Sequence, residues 1–305
     1  MWSDYDQDDL NHVCSWDFYP HICDLVLYVP DDIEKLQPDI KDNCLIFIKT
    51  DLVFQGQTSE RIWNRLHEIY ESTGKKFNLV VHCSDNVFPS KIFQMYDTDW
   101  ISNIFGNQVD ARHEFKKTKV HPIGQGFYPD DKEILEKRKT RKSRGEKSNR
   151  LVLPPGDWQY GSNTIRHIVI PEIANRFGNE EWLTGSFKSI GPTDPDQIPR
   201  SEFLTLLDEN KFSLCIPGNE GCQVNRFWES LAVDCVPVMF RECHLWKSSM
   251  EELCSVHNLP CVWIDSINDI NNIETLFDYE YDFSNVEKTL MMKYWKGFIH
   301  DTVGK

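Results

Sequence analysis

Short runs of consecutive apolar residues, separated by polar or helical stretches, set the strongest limit on how this chain can fold. In the first half such runs occupy residues 24–30, 44–48 and 77–82. Apolar residues recur at helical spacing over residues 59–72, and Gly74 follows them as a stop signal. Strands that are apolar throughout are buried on both faces, which is typical of parallel sheets covered by helices. We therefore predict an α/β fold.

The same alternation restarts near residue 150. Strands are expected at 150–154, 181–184, 212–217, 234–240 and 261–264, and helices at 162–177, 201–208, 223–233, 245–257 and 285–300. Ser201 is expected to cap its helix. The pattern predicts two Rossmann-like domains, residues 1–145 and 146–284, with residues 285–305 as a C-terminal helix that packs back towards the first domain.

The charge of the chain is unevenly distributed. Lys and Arg total 33 against 48 Asp and Glu, and the resulting net charge of −15 argues against a general nucleic-acid binder. Residues 132–150, here called the basic segment, hold nine Lys or Arg against three Glu, a local charge of +6. Two interpretations are open: a solvated linker between the domains, or a positive rim that attracts an anionic ligand.

Several classes of protein are disfavoured. No run approaches the ~18 apolar residues of a membrane helix, and the acidic N-terminus is unlike a signal peptide, so we expect a soluble, cytoplasmic protein with no membrane insertion. The 10 Cys are scattered without a CxxC pair, which disfavours a zinc site. No GxGxxG follows a predicted strand, which disfavours a dinucleotide-dependent oxidoreductase.

Residues 212–240 carry the most chemical information. A predicted buried strand is followed by Gly218 and Gly221, which allow a tight turn before the next helix. The free N–H groups at the start of that helix would form an anion site. Arg226 and Glu229 lie three residues apart and share a helix face, where the Arg suits a diphosphate and the carboxylate suits ribose hydroxyls. The alternative interpretation is a surface ion pair between the two.

This segment resembles the donor-binding segment of exostosin-like glycosyltransferases, which have the GT-B architecture. The matching residues are Cys215, Pro217, Gly218, Arg226, Glu229, Leu231, Cys235, Val236, Pro237 and Val238. Asp234 stands where that family usually has Gly, so this turn is expected to differ. The resemblance implies two Rossmann-like domains that face each other across a cleft. The first would bind the acceptor and the second the nucleotide sugar, as in the soluble members met in large algal viruses and microbes.

Three shorter segments are similar to the same class of enzymes. Residues 80–89 place His82 and Asp85 at the carboxyl end of a predicted strand. Residues 121–124 resemble a Pro-Ile-Gly turn found late in the first domain. Residues 162–166 resemble the start of a helix that places hydroxyls and a basic group near the donor phosphates. The order of these segments along the chain supports the resemblance.

The resemblance implies inverting transfer of a sugar from a nucleotide diphosphate sugar to a hydroxyl of a glycan or glycoprotein acceptor. UDP is favoured as the nucleotide, with UDP-xylose as a guess. The implied donor-binding residues are Ser162, Thr164, Arg166, Gly218, Asn225, Arg226 and Glu229. Helix N-termini and basic side chains would stabilise the leaving diphosphate, so neither a metal nor another cofactor is expected.

Inversion in a single displacement requires a general base that activates the acceptor hydroxyl. Asp85 is the first candidate and His82 the second, with Asp31 and Asp32 as alternatives. Each of the first two also has a structural interpretation. Asp85 lies in a Ser-Asp-Asn context suited to capping a turn, and His82 suits a buried core imidazole.

Two other functions remain open on the sequence alone. Asp97-Thr-Asp99 has the spacing with which metal-dependent GT-A transferases hold manganese, as have the pairs Asp4/Asp6 and Asp194/Asp196, although such pairs arise by chance among 48 acidic residues. The chain could also be a GT-B-like protein that binds a nucleotide or glycan without turnover. Transfer or hydrolysis of a nucleotide sugar would distinguish these possibilities.

Overall fold

The computed structural model describes residues 17–54, 56–82, 98–107, 119–127, 132–153, 165–185, 198–216, 224–241 and 249–305. The chain forms two compact units. Unit 1 comprises Met1–Pro129, Trp246–Leu253 and Met291–Lys305, and unit 2 comprises Asp130–Leu245 and Cys254–Leu290. The last residues of the chain therefore belong to unit 1, and the basic segment belongs to unit 2.

Strands and helices alternate through both units. The strands are β1 Leu25–Leu27, β2 Cys44–Lys49, β3 Phe77–His82, β4 Ile101–Gly106, β5 Val120–Pro122, β6 Ser148–Leu153, β7 Leu183–Gly185, β8 Asn210–Leu214, β9 Val236–Phe240 and β10 Val262–Ile264. The α-helices are α1 Thr50–Phe54, α2 Gly56–Thr73, α3 Lys132–Lys139, α4 Ile165–Phe177, α5 Arg200–Glu209, α6 Asn225–Ala232, α7 Ser249–His257, α8 Val286–Thr289 and α9 Met292–Val303. Short 3₁₀ helices cover Tyr19–Ile22, Pro30–Lys35, Arg144–Glu146 and Ile267–Leu276.

Unit 1 is built on a parallel sheet of five strands in the order β1-β2-β3-β4-β5. Every residue of β3 and all but the last of β2 are buried. Since successive side chains point to opposite faces of a strand, burial at every position means that both faces of the sheet are covered. The apolar runs at 44–48 and 77–82 are therefore buried strands, as predicted.

The helix predicted over residues 59–72 is α2. It buries Ile62, Leu66 and Ile69 against the sheet core, and these three residues recur at helical spacing. The backbone at Gly74 is left-handed, with φ of +73°, and its N–H donates to the carbonyl of Tyr70 over 2.7 Å. A glycine adopts this conformation without strain, which explains why the helix ends here.

A chain of polar side chains crosses the sheet of unit 1. Asn78, which is 1% exposed, donates through Nδ2 to the carbonyl of Asn43 and accepts at Oδ1 from Asn103 Nδ2 over 2.8 Å. Oδ1 of Asn103 lies 3.0 Å from Nε2 of His121. Buried amides are costly without hydrogen-bond partners. These hydrogen bonds therefore favour the observed strand register over shifted registers.

Unit 2 contains a second parallel sheet of five strands, in the order β10-β9-β8-β6-β7. The chain moves outward from β6 to β7, and then returns to the other side of β6 to form β8. The strand order therefore reverses between β6 and β8, which is the topological feature beside which open α/β sheets bind ligands at the carboxyl ends of the strands. The predicted α/β class, with two parallel sheets, is confirmed.

The basic segment is folded and anchored inside unit 2. It begins with α3, and two buried or half-buried carboxylates pair with it. Asp208 lies 3.1 Å from Nζ of Lys137 and 3.2 Å from Nζ of Lys147, whose side chain is fully buried. Asp234 pairs with Arg141 over 2.5 Å and with Arg138 over 3.6 Å. The interpretation as a solvated linker is therefore wrong, because these ion pairs fix the segment to the unit.

These contacts place the basic segment at the amino-terminal edge of the second sheet. Asp208 lies at the end of α5 just before β8, Asp234 lies just before β9, and Lys147 lies just before β6. Ligands of such sheets bind at the opposite, carboxyl-terminal edge. The interpretation of the segment as a positive rim for the ligand is therefore not supported, and much of its charge is neutralised by the carboxylates that it contacts.

Asp234 has a left-handed backbone conformation. Its φ is +55°, in the left-handed region, directly after α6. Aspartate tolerates this region better than most residues, because its short side chain makes local hydrogen bonds. Glycine also adopts this region readily, so the expectation that this turn differs from a glycine turn stays a prediction. The Asp234 carboxylate holds Arg138 and Arg141.

Within the described ranges, none of the helices combines the length and the apolar content that crossing a bilayer requires.

Replacing Asp208 by Asn should destabilise the protein strongly. Burial alone would raise the pKa of Asp208, but hydrogen bonds from the backbone N–H of Lys142 and from Lys137 outweigh it and hold the pKa below its usual value. The amide would leave the buried ammonium of Lys147 without its counter-charge, at a cost of about 3 kcal/mol. Urea-induced unfolding followed by tryptophan fluorescence measures this free energy.

Glu209→Gln is the matched control, since Glu209 is the next residue and its ion pair with Lys142 is solvent-exposed at 3.7 Å. This change should cost less than about 0.5 kcal/mol. Equal losses in the two variants would show that the buried contacts of Asp208 contribute no more to stability than an exposed ion pair does.

Candidate functional site

The carboxyl ends of β6 and β8 are neighbours at the point where the strand order reverses. Residues 154–164 follow β6 in sequence, and residues 217–223 connect the end of β8 with α6. Ser162, Thr164 and Gly218, which the resemblance assigns to donor binding, fall in these stretches and lie outside the described residues. Arg166 lies in the first turn of α4, and its side chain is also outside the description.

Helix α6 starts at this edge of the sheet, and three of the predicted donor-binding residues lie on it: Asn225, Arg226 and Glu229. Its N-cap residue is Val224, which has an extended backbone and provides no side-chain acceptor to the first turn. The N–H of Phe227 donates to the carbonyl of Val224 over 3.0 Å. The N–H groups of Asn225 and Arg226 precede any acceptor within the helix, so they favour an anion placed above them. Asn225 is the first residue of α6 and is half-buried.

The guanidinium of Arg226 is held in an apolar setting. It lies over the ring of Phe203 on α5, 5.6 Å from the ring centre, and its Nε is buried without a hydrogen-bond partner in the part of the chain that is described. Burial lowers the pKa of Arg226, while nearby Cys215 and Glu229 oppose the shift. An arginine stays protonated even so, and a desolvated cation with an unused donor is suited to binding an anion.

The carboxylate of Glu229 pairs with a residue that the sequence did not single out. Its Oε1 lies 2.9 Å from an Nη of Arg200, the first residue of α5, and the Glu229 side chain is only 9% exposed. The alternative in which Glu229 forms a surface pair with Arg226 is wrong, since among the described contacts its salt bridge is with Arg200. Glu229 is thus a buried carboxylate held between two helices.

Arg200 is brought to the site by the way α5 leads into β8. The helix ends at Glu209 and the strand begins at Asn210, so α5 runs antiparallel to β8 and starts at the carboxyl edge. The predicted cap at Ser201 is wrong. The N-cap is Pro199, without a side-chain hydrogen bond, and Ser201 lies inside the helix. The sequence signal that could have identified Arg200 is the short connection between α5 and β8, because it places the start of α5 at the carboxyl edge of the sheet.

His82, the second candidate for the base, ends β3 in unit 1 and is fully buried. Its Nε2 lies 3.3 Å from the carbonyl of Gly124, which also accepts a 2.6 Å hydrogen bond from the hydroxyl of Tyr19. The rings of His82 and Tyr19 lie 4.4 Å apart. Burial lowers the pKa of His82 to about 3, so the imidazole is neutral near pH 7. Asp85 lies outside the described residues.

The other candidate carboxylates differ in their surroundings. Asp32 accepts hydrogen bonds from the N–H groups of Tyr28 and Val29, at 2.7 and 2.9 Å, and so caps the 3₁₀ helix that begins at Pro30. Asp31 lies beside it and is exposed, and Asp99 is exposed in the turn before β4. The remaining acids of the possible metal pairs lie outside the described residues: Asp4, Asp6, Asp97, Asp194 and Asp196. Among the side chains that are described, no group of three or more His, Cys, Asp or Glu is arranged to hold a metal ion.

An open pocket of about 560 Å³ lies at the other edge of the second sheet. It is lined by Ser148, Asn149, Arg150, Glu181, Trp182, Glu274, Phe277 and Asp278. These residues include the start of β6 and the turn before β7, so the pocket lies at the amino ends of the strands. It is distinct from the group formed by Arg226, Glu229 and Arg200.

No protein-family model and no curated protein matches the sequence. Solved structures with a similar chain path include apo OtsA, with 13% identity, a TM-score of 0.46, and coverage of 90% of this chain and 76% of that chain. An α,α-trehalose-phosphate synthase (UDP-forming) from Burkholderia xenovorans has 10% identity, a TM-score of 0.46, and coverage of 98% and 79%. The calicheamicin glycosyltransferase CalG4 has 10% identity, a TM-score of 0.39, and coverage of 95% and 79%. Similarity at this level assigns no activity to this chain.

The low pKa of His82 should make stability fall as the pH is lowered. The unfolded chain binds a proton at this residue below its ordinary pKa of 6.5, whereas the folded chain does not until about pH 3. Between pH 6 and pH 4 this residue should therefore remove about 1.4 kcal/mol of stability per pH unit. His82→Gln should lose that slope, which urea unfolding at several pH values measures.

His67→Gln is the control, because His67 lies on the surface of α2 and is more than one-third exposed. This variant should keep the slope between pH 6 and pH 4 that His82 produces in the wild type. If His82→Gln and the wild type also have parallel profiles between pH 6 and pH 4, His82 is not a neutral buried imidazole.

Proposed function

We propose that this chain is a glycosyltransferase that moves a sugar from a nucleotide diphosphate sugar to a hydroxyl of a glycan acceptor, with inversion and without a metal. The observation that carries the proposal is the position of Arg226 and Glu229 on one face at the start of α6. That helix starts at the carboxyl edge of β8, beside the reversal of strand order. The same residues are the ones that resemble the donor-binding segment of exostosin-like enzymes.

The chemistry of the donor fits this arrangement. Breaking the glycosidic bond leaves negative charge on the diphosphate, and preorganised donors in a dry setting stabilise such charge best. Arg226 supplies a half-buried cation whose buried Nε has no hydrogen-bond partner among the described residues, and the first turn of α6 supplies backbone N–H groups. Glu229 is a carboxylate fixed within one helical turn of that cation, where it can accept hydrogen bonds from the two ribose hydroxyls.

A general base must take the proton of the acceptor hydroxyl. We propose Asp85 for this role, with His82 as the second candidate. The fully buried imidazole of His82, with its pKa of about 3, is a weak proton acceptor near pH 7. This property favours a role for His82 in holding the turn at Gly124, and it leaves the proton transfer to Asp85.

We favour UDP as the nucleotide, and UDP-xylose as the first donor to test, on the resemblance alone. A thermal-shift panel with UDP-sugars and GDP-sugars, each with and without EDTA, tests the donor class. We expect stabilisation by a UDP-sugar at ligand concentrations well above Kd, and no change on adding EDTA. Loss of the shift in EDTA would instead indicate a metal-dependent transferase, in which Asp97 and Asp99 become the candidates.

Arg226→Ala should abolish most of the nucleotide-induced shift, since it removes the cation for the diphosphate. Arg176→Ala is the matched control, because Arg176 is an exposed arginine at the far end of α4, where it pairs with Glu172. That variant should respond like the wild type. The absence of a shift with every nucleotide in the wild type would refute the proposed function, whereas binding without transfer or hydrolysis would indicate a non-catalytic binding protein.

A further inference from the structure

The ion pair between Arg200 and Glu229 joins two helices at the carboxyl edge of the second sheet. Nη2 of Arg200 lies 2.9 Å from Oε1 of Glu229, which is within hydrogen-bond distance. Helices α5 and α6 pack against each other, and each contributes one partner from its first or second turn. The pair therefore lies where the proposed donor site requires its carboxylate.

The two partners differ in burial, and the difference indicates which one depends on the other. The Glu229 side chain is 9% exposed, while that of Arg200 is 34% exposed. A carboxylate removed from water is strongly destabilised unless a cation or several hydrogen-bond donors compensate it. Water reaches part of the Arg200 side chain, although its Nε is buried. The pairing fixes the position of the more deeply buried Glu229 carboxylate.

We infer that Arg200 is a positioning residue for ribose recognition, which orients the Glu229 carboxylate towards the 2′- and 3′-hydroxyls of the donor nucleotide. This inference rests on the proposed function, since it takes the ribose to be the group that Glu229 binds. It separates two cations in one site. Arg226 acts on the diphosphate, whereas Arg200 acts through Glu229.

If Arg200 acts on the ribose and Arg226 on the diphosphate, removing Arg200 should weaken the binding only of nucleotides that carry the ribose hydroxyls. A general structural effect would weaken the binding of all nucleotides. Isothermal titration calorimetry would compare UDP with 2′,3′-dideoxy-UDP, which has the same base and diphosphate but lacks the two hydroxyls. Arg200→Ala should weaken UDP binding by about tenfold, the typical value of one hydrogen bond to a charged group, and should leave dideoxy-UDP binding unchanged. Arg226→Ala should weaken both ligands by similar factors.

Two further variants test whether Arg200 acts through Glu229. Glu229→Gln should show the same selective loss for UDP. The double variant Arg200→Ala/Glu229→Gln should lose no more than Glu229→Gln alone, because the two residues contribute to one interaction. Arg200→Lys retains a cation near the carboxylate and should recover part of the affinity. Melting temperatures check folding, and Arg200→Gln replaces the alanine variant if the latter unfolds.

Three results would overturn the inference. Equal weakening of UDP and dideoxy-UDP in Arg200→Ala would place Arg200 on the phosphates or in general stability. Unchanged UDP binding in that variant would show that Glu229 needs no positioning by Arg200. Additive losses in the double variant would show that the two residues act independently. A wild type that binds neither nucleotide refutes the proposed function itself, and this outcome is distinct from the other three.

Discussion

The reversal of strand order between β6 and β8 is the constraint on which the candidate site depends. The chain leaves β6 towards β7 and leaves β8 towards β9, in opposite directions along the sheet. Open α/β sheets bind ligands in the crevice between two such connections. Helix α6 starts at this edge because it follows β8, and α5 starts there because it runs antiparallel into β8. Arg226, Glu229 and Arg200 therefore meet through topology, although Arg200 is distant from the other two in sequence.

The same sheet separates two sets of charges. At its amino edge, Asp208 and Asp234 hold the basic segment, and Lys147 is buried beside Asp208. At its carboxyl edge, one buried carboxylate and two arginines form the candidate site. The local charge of +6 in the sequence thus describes a structural contact between α3 and the helices α5 and α6, with no direct role at the carboxyl edge.

The features that the sequence predicts well are those set by local burial. The continuous apolar runs at 44–48 and 77–82 predict buried strands, and the structure has them. The helical spacing of Ile62, Leu66 and Ile69 predicts α2. The position of Arg226 and Glu229 on one face of a helix also follows from spacing alone. Such patterns depend on neighbouring residues, so they are visible without the fold.

The features that the sequence misses depend on partners far along the chain. Asp208 and Asp234 lie more than 60 positions from the basic residues that they hold, so a charge count cannot distinguish a linker from an anchored segment. Arg200 has no motif of its own, and only the packing of α5 on α6 gives it a partner. Asp234 has a left-handed φ that its residue type alone does not predict.

We propose that a nucleotide diphosphate binds at the carboxyl edge of the second sheet. A crystal structure of the protein with UDP bound tests it most directly. We expect the diphosphate within hydrogen-bond distance of the Arg226 guanidinium and the ribose hydroxyls on Glu229. A nucleotide bound elsewhere, such as in the open pocket beside Arg150 at the amino edge, would contradict the claim.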